Sequence, residues 1–170
     1  MQRYIRKATL ADLFAVKTLI ESGRRIMKAT GNPNQWNDNR PAEWQLRDDI
    51  EHQHSYLLVD HGQAVATWAL IPGPDVTYRT IYHGHWLDDT QPYYVIHRVA
   101  SLPDAHGVMH DLLDYCLKLT SNIRIDTHRD NHIMQHCLSK AGFTYCSIIL
   151  LLDGDERLAY QKITAPRPAL

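Results

Sequence analysis

This sequence has few cysteines, almost no net charge and no overall excess of basic residues. Its three cysteines, Cys116, Cys137 and Cys146, are an odd number without CxxC spacing, which indicates neither a disulfide framework nor a zinc cluster. Lysine and arginine number 18 against 19 aspartates and glutamates, a net charge of −1, whereas a nucleic-acid binder ordinarily carries a basic face. We therefore expect neither a disulfide-stapled scaffold nor a nucleic-acid partner.

Segments that would direct the chain to a membrane are also missing from the pattern. The first residues, MQRYIRKATLADLF, are charged from the start and lack the apolar stretch of a signal peptide. No run approaches the roughly 20 apolar residues that a membrane-spanning helix requires. We expect a cytoplasmic protein without a membrane partner, which agrees with the cysteine content because the cytosol is reducing.

The composition that is present is that of one ordinary globular domain. The 170 residues are 44% hydrophobic and 22% charged, and their number is typical of a single domain. No internal repeat or linker divides the chain, so we predict one domain over residues 1–163 and a flexible tail over residues 164–170.

Histidine is unusually frequent, with 11 residues against 8 glycines and 8 prolines. Two pairs, His106 with His110 and His132 with His136, have the i,i+4 spacing that places both imidazoles on one helix face. A zinc site ordinarily needs at least three protein ligands, and no third ligand accompanies either pair. We predict exposed histidines on helices and no metal site.

Hydrophobic periodicity and turn residues give the order of the elements. The first half is predicted to contain strands over Tyr4–Lys7, 55–59 and 64–71, a helix from Thr9 to Gly31, a helix from Pro41 with apolar positions Trp44, Leu46 and Ile50, and a loop over 72–92 with one short strand over 77–81. The second half is predicted to contain strands over 93–100, 123–126, 143–152 and 156–161, a helix opened by Gly107 and a helix over 131–141.

The strand–helix–strand–helix order after residue 92 implies one parallel strand pair with a right-handed crossover. The predicted hairpins before and after it imply antiparallel strands. The fold class predicted is α/β (mixed α+β), a single domain with a central, mostly antiparallel mixed sheet that has one parallel strand pair and helices on both faces.

Three segments of the second half resemble the GNAT superfamily of acyl-CoA-dependent N-acyltransferases. They are HRVASLPDAHGVMHDLL, IRIDTHRDNHIMQHCLSKAGF and the ending YCSIILLLDGDERLAYQK, which looks like the closing hairpin of a bacterial branch of the family. The resemblance extends from about Arg3 to Lys162 and implies acetyl-CoA as co-substrate.

A glycine at the start of a helix suits a pyrophosphate, since the unpaired amides and the helix dipole favour an anion and glycine lets it approach. The family pattern Gln/Arg-x-x-Gly-x-Gly/Ala falls here on Asp104, Gly107 and Met109, and only Gly107 matches. His106 and His110 are expected to supply part of the missing positive charge. The resemblance assigns coenzyme contacts to Val99, Ala100, His106, Gly107, Val108, Met109, His110 and Asn131.

Two of these contacts rest on features of the family outside the glycine loop. In the family the two parallel strands separate, and main-chain amides of the first strand bind the acyl and pantetheine parts, which here points to residues near Val99. Asn131 matches a position that often contacts the coenzyme, and a plain helix N-cap is the alternative for it.

Transfer of an acetyl group to an amine needs a base for the amine proton and often an acid for the leaving thiolate. His97, in the central strand, is our first candidate for the base, against the alternative of a hydrogen-bonded core histidine; His128 is the second and a water relay from Asp126 the third. Many family members carry a tyrosine that protonates the leaving coenzyme at the position where this chain has Leu138. Either the thiolate leaves without such an acid, or another group such as Tyr145 acts as the acid, or the protein is not a normal enzyme.

The acceptor expected from the resemblance is a primary amine of a small molecule or peptide, acetylated by direct transfer in a ternary complex. The early aromatic residues, foremost Trp36 and Tyr78, are candidates for the wall of its pocket, with core packing as the alternative. The departures at Asp104, Met109 and Leu138 favour a second hypothesis, a non-catalytic GNAT-fold protein that binds acyl-CoA or a protein partner. The resemblance is also compatible with a homodimer.

Overall fold

The computed structural model describes residues 2–165, so residues 166–170 of the predicted tail lie outside the described part. Within residues 2–165 it has seven strands, four α-helices and two 3-10 helices (Leu10–Asp12 and Val76–Tyr78). In chain order the strands and α-helices are β1 (Tyr4–Lys7), α1 (Leu13–Ala29), α2 (Glu43–Glu51), β2 (Ser55–Asp60), β3 (Gln63–Pro72), β4 (Tyr94–Ser101), α3 (Val108–Leu119), β5 (Asn122–Thr127), α4 (His132–Lys140), β6 (Thr144–Leu150) and β7 (Glu156–Ile163).

The seven strands form one sheet in the order β1-β2-β3-β4-β5-β7-β6. The β4–β5 pair is parallel, and every other neighbouring pair is antiparallel. The predicted fold class is therefore confirmed, including the parallel strand pair.

Helices cover both faces of the sheet. Successive residues of a strand point to opposite sides, and apolar residues at both kinds of position need a covering layer. On β2, Leu57 and Val59 pack with α1 and α2, whereas Tyr56 and Leu58 pack in the cluster that holds α3 and α4. The face that carries α1 and α2 is completed over the later strands by the segment 73–93, whose Tyr78 and Trp86 are buried there.

Local chemistry explains the elements that the sequence predicted well. Thr9 and Asp12 form a capping box before α1, with the Thr9 N–H donating to the Asp12 carboxylate at 2.8 Å. The β2–β3 turn places His61 and Gly62 at positive φ (49° and 83°), as a two-residue hairpin turn requires. Gly142 follows α4 at a φ of 81°, the left-handed position that favours glycine.

The segment 73–93 differs from the prediction of a short strand over 77–81. Within the described residues it has a 3-10 helix (Val76–Tyr78) and an isolated bridge between Tyr82 and Ile148. The reason is the Asp75 side chain, which accepts hydrogen bonds from the Thr77 N–H (2.9 Å) and hydroxyl (2.7 Å). Such Asx turns compete with extended structure.

The second helix also begins later than predicted, at Glu43 rather than Pro41, because the Gln45 side chain accepts a hydrogen bond from the Ala42 N–H at 2.9 Å. Trp44, an expected apolar position, is 68% exposed. The buried positions of this helix are Leu46, Asp49 and Ile50.

A β-bulge and a strand separation interrupt the centre of the sheet. Between the pairs Thr67–Ala100 and Ala69–His97, β4 has one more residue than β3, and Arg98 within this bulge has a φ of 56°. The pairing of β4 with β5 ends at Ile96 and Ile125, although both strands continue. The sheet is thus open between β4 and β5, beside the bulge.

Candidate active site

A cavity of about 620 Å³ lies at the opening between β4 and β5. Ile96 and Ile125, which line it, belong to the core cluster under α3 and α4. His97 and Asp126, the next residues along the two strands, line it as well. Since neighbouring residues of a strand face opposite ways, the cavity is in contact with both faces of the sheet.

His97 and Asp75 form a hydrogen-bonded pair in the cavity wall. The His97 Nε2 lies 3.0 Å from the Asp75 Oδ2, and the two side chains are 22% and 24% exposed. Burial acts to raise the pKa of Asp75, but hydrogen bonds from His97 and Thr77 outweigh it and bring the pKa to about 2. An ionised carboxylate can only accept, so Nε2 carries the proton and the other ring nitrogen, Nδ1, keeps its lone pair.

Asp126 is held in the same wall by Tyr78. The Tyr78 hydroxyl donates to the Asp126 Oδ1 at 2.5 Å. Burial, with the nearby Asp126 charge, raises the pKa of Tyr78 well above its usual value, so this hydroxyl stays a donor. Tyr78 is fully buried beneath the cavity, and its ring lies 6.0 Å from the His97 ring. Tyr78 therefore supports the two wall residues and is not itself among the lining residues.

The loop between α1 and α2, residues 30–42, runs across the cavity. Its Trp36 is 8% exposed, lines the cavity and also packs in the core cluster under α1 and α2, so its role in an acceptor pocket stays a prediction. The Gln35 Oε1 accepts a hydrogen bond from the Asn131 Nδ2 at 2.9 Å, and the Gln35 carbonyl accepts one from Arg157 at 3.0 Å. Arg40 forms an ion pair with Asp153 in the β6–β7 turn. These contacts fix the loop on both α4 and β7.

The Asn131 side chain is engaged at both ends. Its Oδ1 accepts from the Met134 N–H at 3.0 Å, which makes it the N-cap of α4, while its Nδ2 donates to Gln35. The N-cap reading of Asn131 is thus confirmed. The Oδ1 keeps a second lone pair and the Nδ2 a second N–H, so the cap is compatible with a coenzyme contact by this amide.

The α3 N-terminus retains the main-chain geometry of a phosphate cradle. Gly107 is the N-cap at a φ of 72°, and a Cβ placed there would meet only the Arg3 guanidinium, at 3.7 Å. His106 and His110 are exposed. The unpaired amides of the first helical turn are therefore sterically open to an anion, and a pyrophosphate fits this cradle.

Arg3 is a cation at this cradle that the sequence reasoning missed. Its Nη1 donates to the His106 carbonyl (2.8 Å) and to Asp111 in the first turn of α3 (2.9 Å), and its Nη2 donates to Asp60 (2.9 Å). The Arg3 guanidinium thereby offsets the negative charge of Asp111, which lies in the same helical turn as the unpaired main-chain amides. Arg3 immediately precedes β1, 104 positions before Gly107, so no local pattern could have indicated it.

The remaining coenzyme candidates on β4 differ in their surroundings. Val99 lines the cavity beside the opening. Ala100 is buried against α1, where a Cβ on Gly23 would lie 2.8 Å from its own Cβ. Only the main chain of Ala100 could therefore contact a ligand. Val108 and Met109 form the first turn of α3 with their side chains against the core.

His128 and Tyr145 are not among the residues that line the cavity. The His128 Nδ1 accepts from the Asp130 N–H at 3.1 Å, and burial together with Arg157 lowers the pKa of His128. Tyr145 is 51% exposed on the edge strand β6 and packs edge-on against Tyr160. The positions of both residues give no support to their predicted catalytic roles. Leu138 is fully buried in the core.

Within residues 2–165, no three His, Cys, Asp or Glu side chains come together in a way that could hold a metal ion. None of the described helices is long and apolar enough to span a membrane. The absence of a metal site in the working protein remains a prediction.

Solved structures identify the family. The chain is similar to a GNAT-family acetyltransferase from Streptococcus agalactiae, with 32% identity, 96% of each chain covered and a TM-score of 0.87. A GNAT-family acetyltransferase from Listeria monocytogenes has 18% identity over 95% of each chain and a TM-score of 0.72. The ribosomal-protein-S18-alanine N-acetyltransferase from Escherichia coli has 12% over 99% of each chain and a TM-score of 0.62.

The last two likenesses show the fold alone. No protein-family model and no curated protein matches the chain. The identity and coverage of the Streptococcus agalactiae structure show that the chain belongs to the GNAT family of acetyltransferases, as the three segments predicted.

Proposed function

We propose that this acetyltransferase moves the acetyl group of acetyl-CoA directly to a primary amine, with His97 as the general base. The observation that carries the proposal is the His97–Asp75 pair in the wall of a cavity that opens between β4 and β5. A base there can take a proton from an amine on one face of the sheet while the thioester enters from the other face.

In this transfer the ammonium of the acceptor gives one proton to the His97 Nδ1, and the neutral amine attacks the thioester carbonyl. A C–N bond forms, the C–S bond breaks, and the second amine proton is lost to solvent. Asp75, which is ionised and bonded to Nε2, fixes the tautomer of His97 and stabilises the imidazolium.

The main chain of β4 beyond Ile96 supplies the developing oxyanion with donors, because β5 no longer pairs with this part of the strand. None of the described residues that line the cavity is a tyrosine, lysine or cysteine. The coenzyme therefore leaves as a thiolate and takes its proton from solvent, which is feasible because a thiolate is a much better leaving group than an alkoxide.

Thermal unfolding with and without acetyl-CoA tests the binding half of the proposal. Ligand at 100 times its dissociation constant is expected to add about 2.7 kcal/mol to the free energy of unfolding. Desulfo-coenzyme A and ATP serve as controls for thioester-independent and phosphate-only binding. A shift without release of free thiol in the presence of amines would favour a non-catalytic protein that binds acyl-CoA. No shift with acetyl-CoA would contradict the proposed function and favour a non-catalytic protein that binds a protein partner.

Gly107→Ala is expected to weaken acetyl-CoA binding by roughly tenfold, the value of one charge-assisted hydrogen bond, because the strained residue displaces the first amides of α3. Gly142→Ala is the matched control, since Gly142 also has a left-handed φ (81°) at a helix end. Both variants should lose about 1–2 kcal/mol of stability. Equal acetyl-CoA affinity of the two variants, measured by calorimetry, would show that the cradle is not used.

A further inference from the structure

Arg157 is a buried cation in the wall of the cavity. The residue is 3% exposed and lines the cavity from β7. Two of its N–H groups donate to the main-chain carbonyls of Gln35 (3.0 Å) and Glu156 (2.9 Å). In the described part of the chain no carboxylate forms an ion pair with it. Buried charges are ordinarily paired, but the carboxylates whose charges act on Arg157, namely Asp126, Asp155 and Asp153, form no ion pair with it, so this guanidinium has no anion in direct contact.

The other two arginines of the cavity wall already have their anions. Arg98 forms a two-point ion pair with Asp49 at 2.6 and 2.7 Å, and Arg40 is bonded to Asp153. An anionic group that enters the cavity therefore finds its unmatched cation at Arg157.

A carboxylate stands near Arg157 without touching it. Asp126 pairs with Ala159 across β5 and β7, so Arg157 is its diagonal neighbour on the same face of the sheet, at a typical Cβ separation of about 7–8 Å. Burial lowers the pKa of Arg157, and the charge of Asp126 opposes that shift. The Tyr78 hydroxyl bonds only one of the Asp126 oxygens.

This spacing of charges fits a small zwitterion. We propose that the acceptor is a free α-amino acid, whose carboxylate binds Arg157 and whose ammonium lies against Asp126 within reach of His97. The inference rests on the proposed acetyl transfer and names its substrate class. A peptide N-terminus has an uncharged amide in place of the carboxylate and leaves Arg157 without its anion. A polyamine places a second cation against it.

The test compares each L-amino acid with its C-terminal amide and its decarboxylated amine, using thiol release to obtain kcat/KM. The best amino acid should exceed its own amide by about 30-fold or more, the loss expected when a buried charge pair lacks one partner. Differences in amine protonation cannot produce this preference, because the amide has the less basic amine and hence more of the neutral nucleophile.

Arg157→Met should bring the ratio of acid to amide close to one; any loss of rate caused by freeing the Gln35 carbonyl is shared by both substrates and cancels in the ratio. Arg157→Lys should restore part of the ratio, since it keeps the charge without the two-point geometry. Arg40→Met, the matched control at the same cavity, should lower kcat/KM for acid and amide alike.

An unchanged ratio in Arg157→Met would overturn the inference, and so would a wild-type protein that acetylates amides or polyamines as well as amino acids. In both cases acetyl transfer itself stands. A protein that acetylates no amine at all would remove the proposed function and this inference with it. Should Arg157→Met fail to fold, the wild-type ratio decides by itself.

Discussion

Replacing His97 by glutamine is expected to lower kcat/KM for acetyl transfer by about 100- to 1000-fold, within the range of general bases. Glutamine keeps a polar side chain beside Asp75 but has no lone pair that can take the amine proton at neutral pH. The wild-type rate should rise with pH, because the base must be unprotonated to act. This rise should disappear in His97→Gln.

His128→Gln is the matched control, since His128 is the other histidine that the sequence offered as a base and does not line the cavity. Its loss should stay within about threefold, below the range of a general base. Asp75 is a positioning residue, so Asp75→Asn should lower kcat less than His97→Gln does and move the pH profile without abolishing it. A larger loss in His128→Gln than in His97→Gln would contradict the assignment.

Arg124→Ala is expected to lower the free energy of unfolding by about 3 kcal/mol. The Arg124 side chain is 1% exposed, with its guanidinium 4.1 Å from the centre of the Trp86 ring and 3.8 Å from that of Tyr93. It also donates to the Asp88 carbonyl (3.1 Å) and to Asp89 (2.8 Å). Desolvated cation–π contacts contribute about 2 kcal/mol each, and truncation leaves a cavity between the two rings.

Two features keep the expected loss in Arg124→Ala at about 3 kcal/mol, below the sum of the two cation–π contacts. The Arg124 Nε is buried without a hydrogen-bond partner, so its removal relieves part of the cost. The partner carboxylate, Asp89, is 65% exposed and is not left as a buried charge.

Arg129→Ala is the control for this variant, because Arg129 also pairs with a carboxylate, Glu156, but is 63% exposed. Surface ion pairs contribute about 0–1 kcal/mol. Urea denaturation of the two variants gives both values. A loss below 1 kcal/mol in Arg124→Ala would mean that segment 73–93 does not depend on this stack.

Segment 73–93 connects the stack of Arg124 on Trp86 and Tyr93 with the candidate active site. Trp86 donates its indole N–H to the Tyr78 carbonyl at 3.0 Å, and Tyr78 in turn holds Asp126. The same segment supplies Asp75, the partner of His97. An irregular segment can position the proposed catalytic groups here because buried aromatic rings fix it to β4 and β5.

The sequence by itself determined the seven strands, the four α-helices and their order, but not the conformation of residues 77–81. Turns, caps and periodic patterns follow from residues a few positions apart, and they are sufficient to indicate the elements. The β2–β3 turn contains Gly62 at positive φ, and α4 is followed by Gly142, which also has a left-handed φ. The capping box of Thr9 and Asp12 precedes α1. The prediction that Trp44 is one of the apolar positions of α2 that face the core was wrong. The buried face of α2 consists of Leu46, Asp49 and Ile50, and Asp49 on this face is the partner of Arg98.

Only the tertiary structure decided which of these residues meet. His97 was proposed from its place in the central strand, but its partner Asp75 lies 22 positions away. Arg157 reaches the cavity from β7, and Arg3 reaches the start of α3 from the residue before β1. The bulge at Arg98 and the separation of β4 from β5 depend on how three strands pair. Contacts of this kind are set by the packing of the whole sheet, and no local pattern in the chain records them.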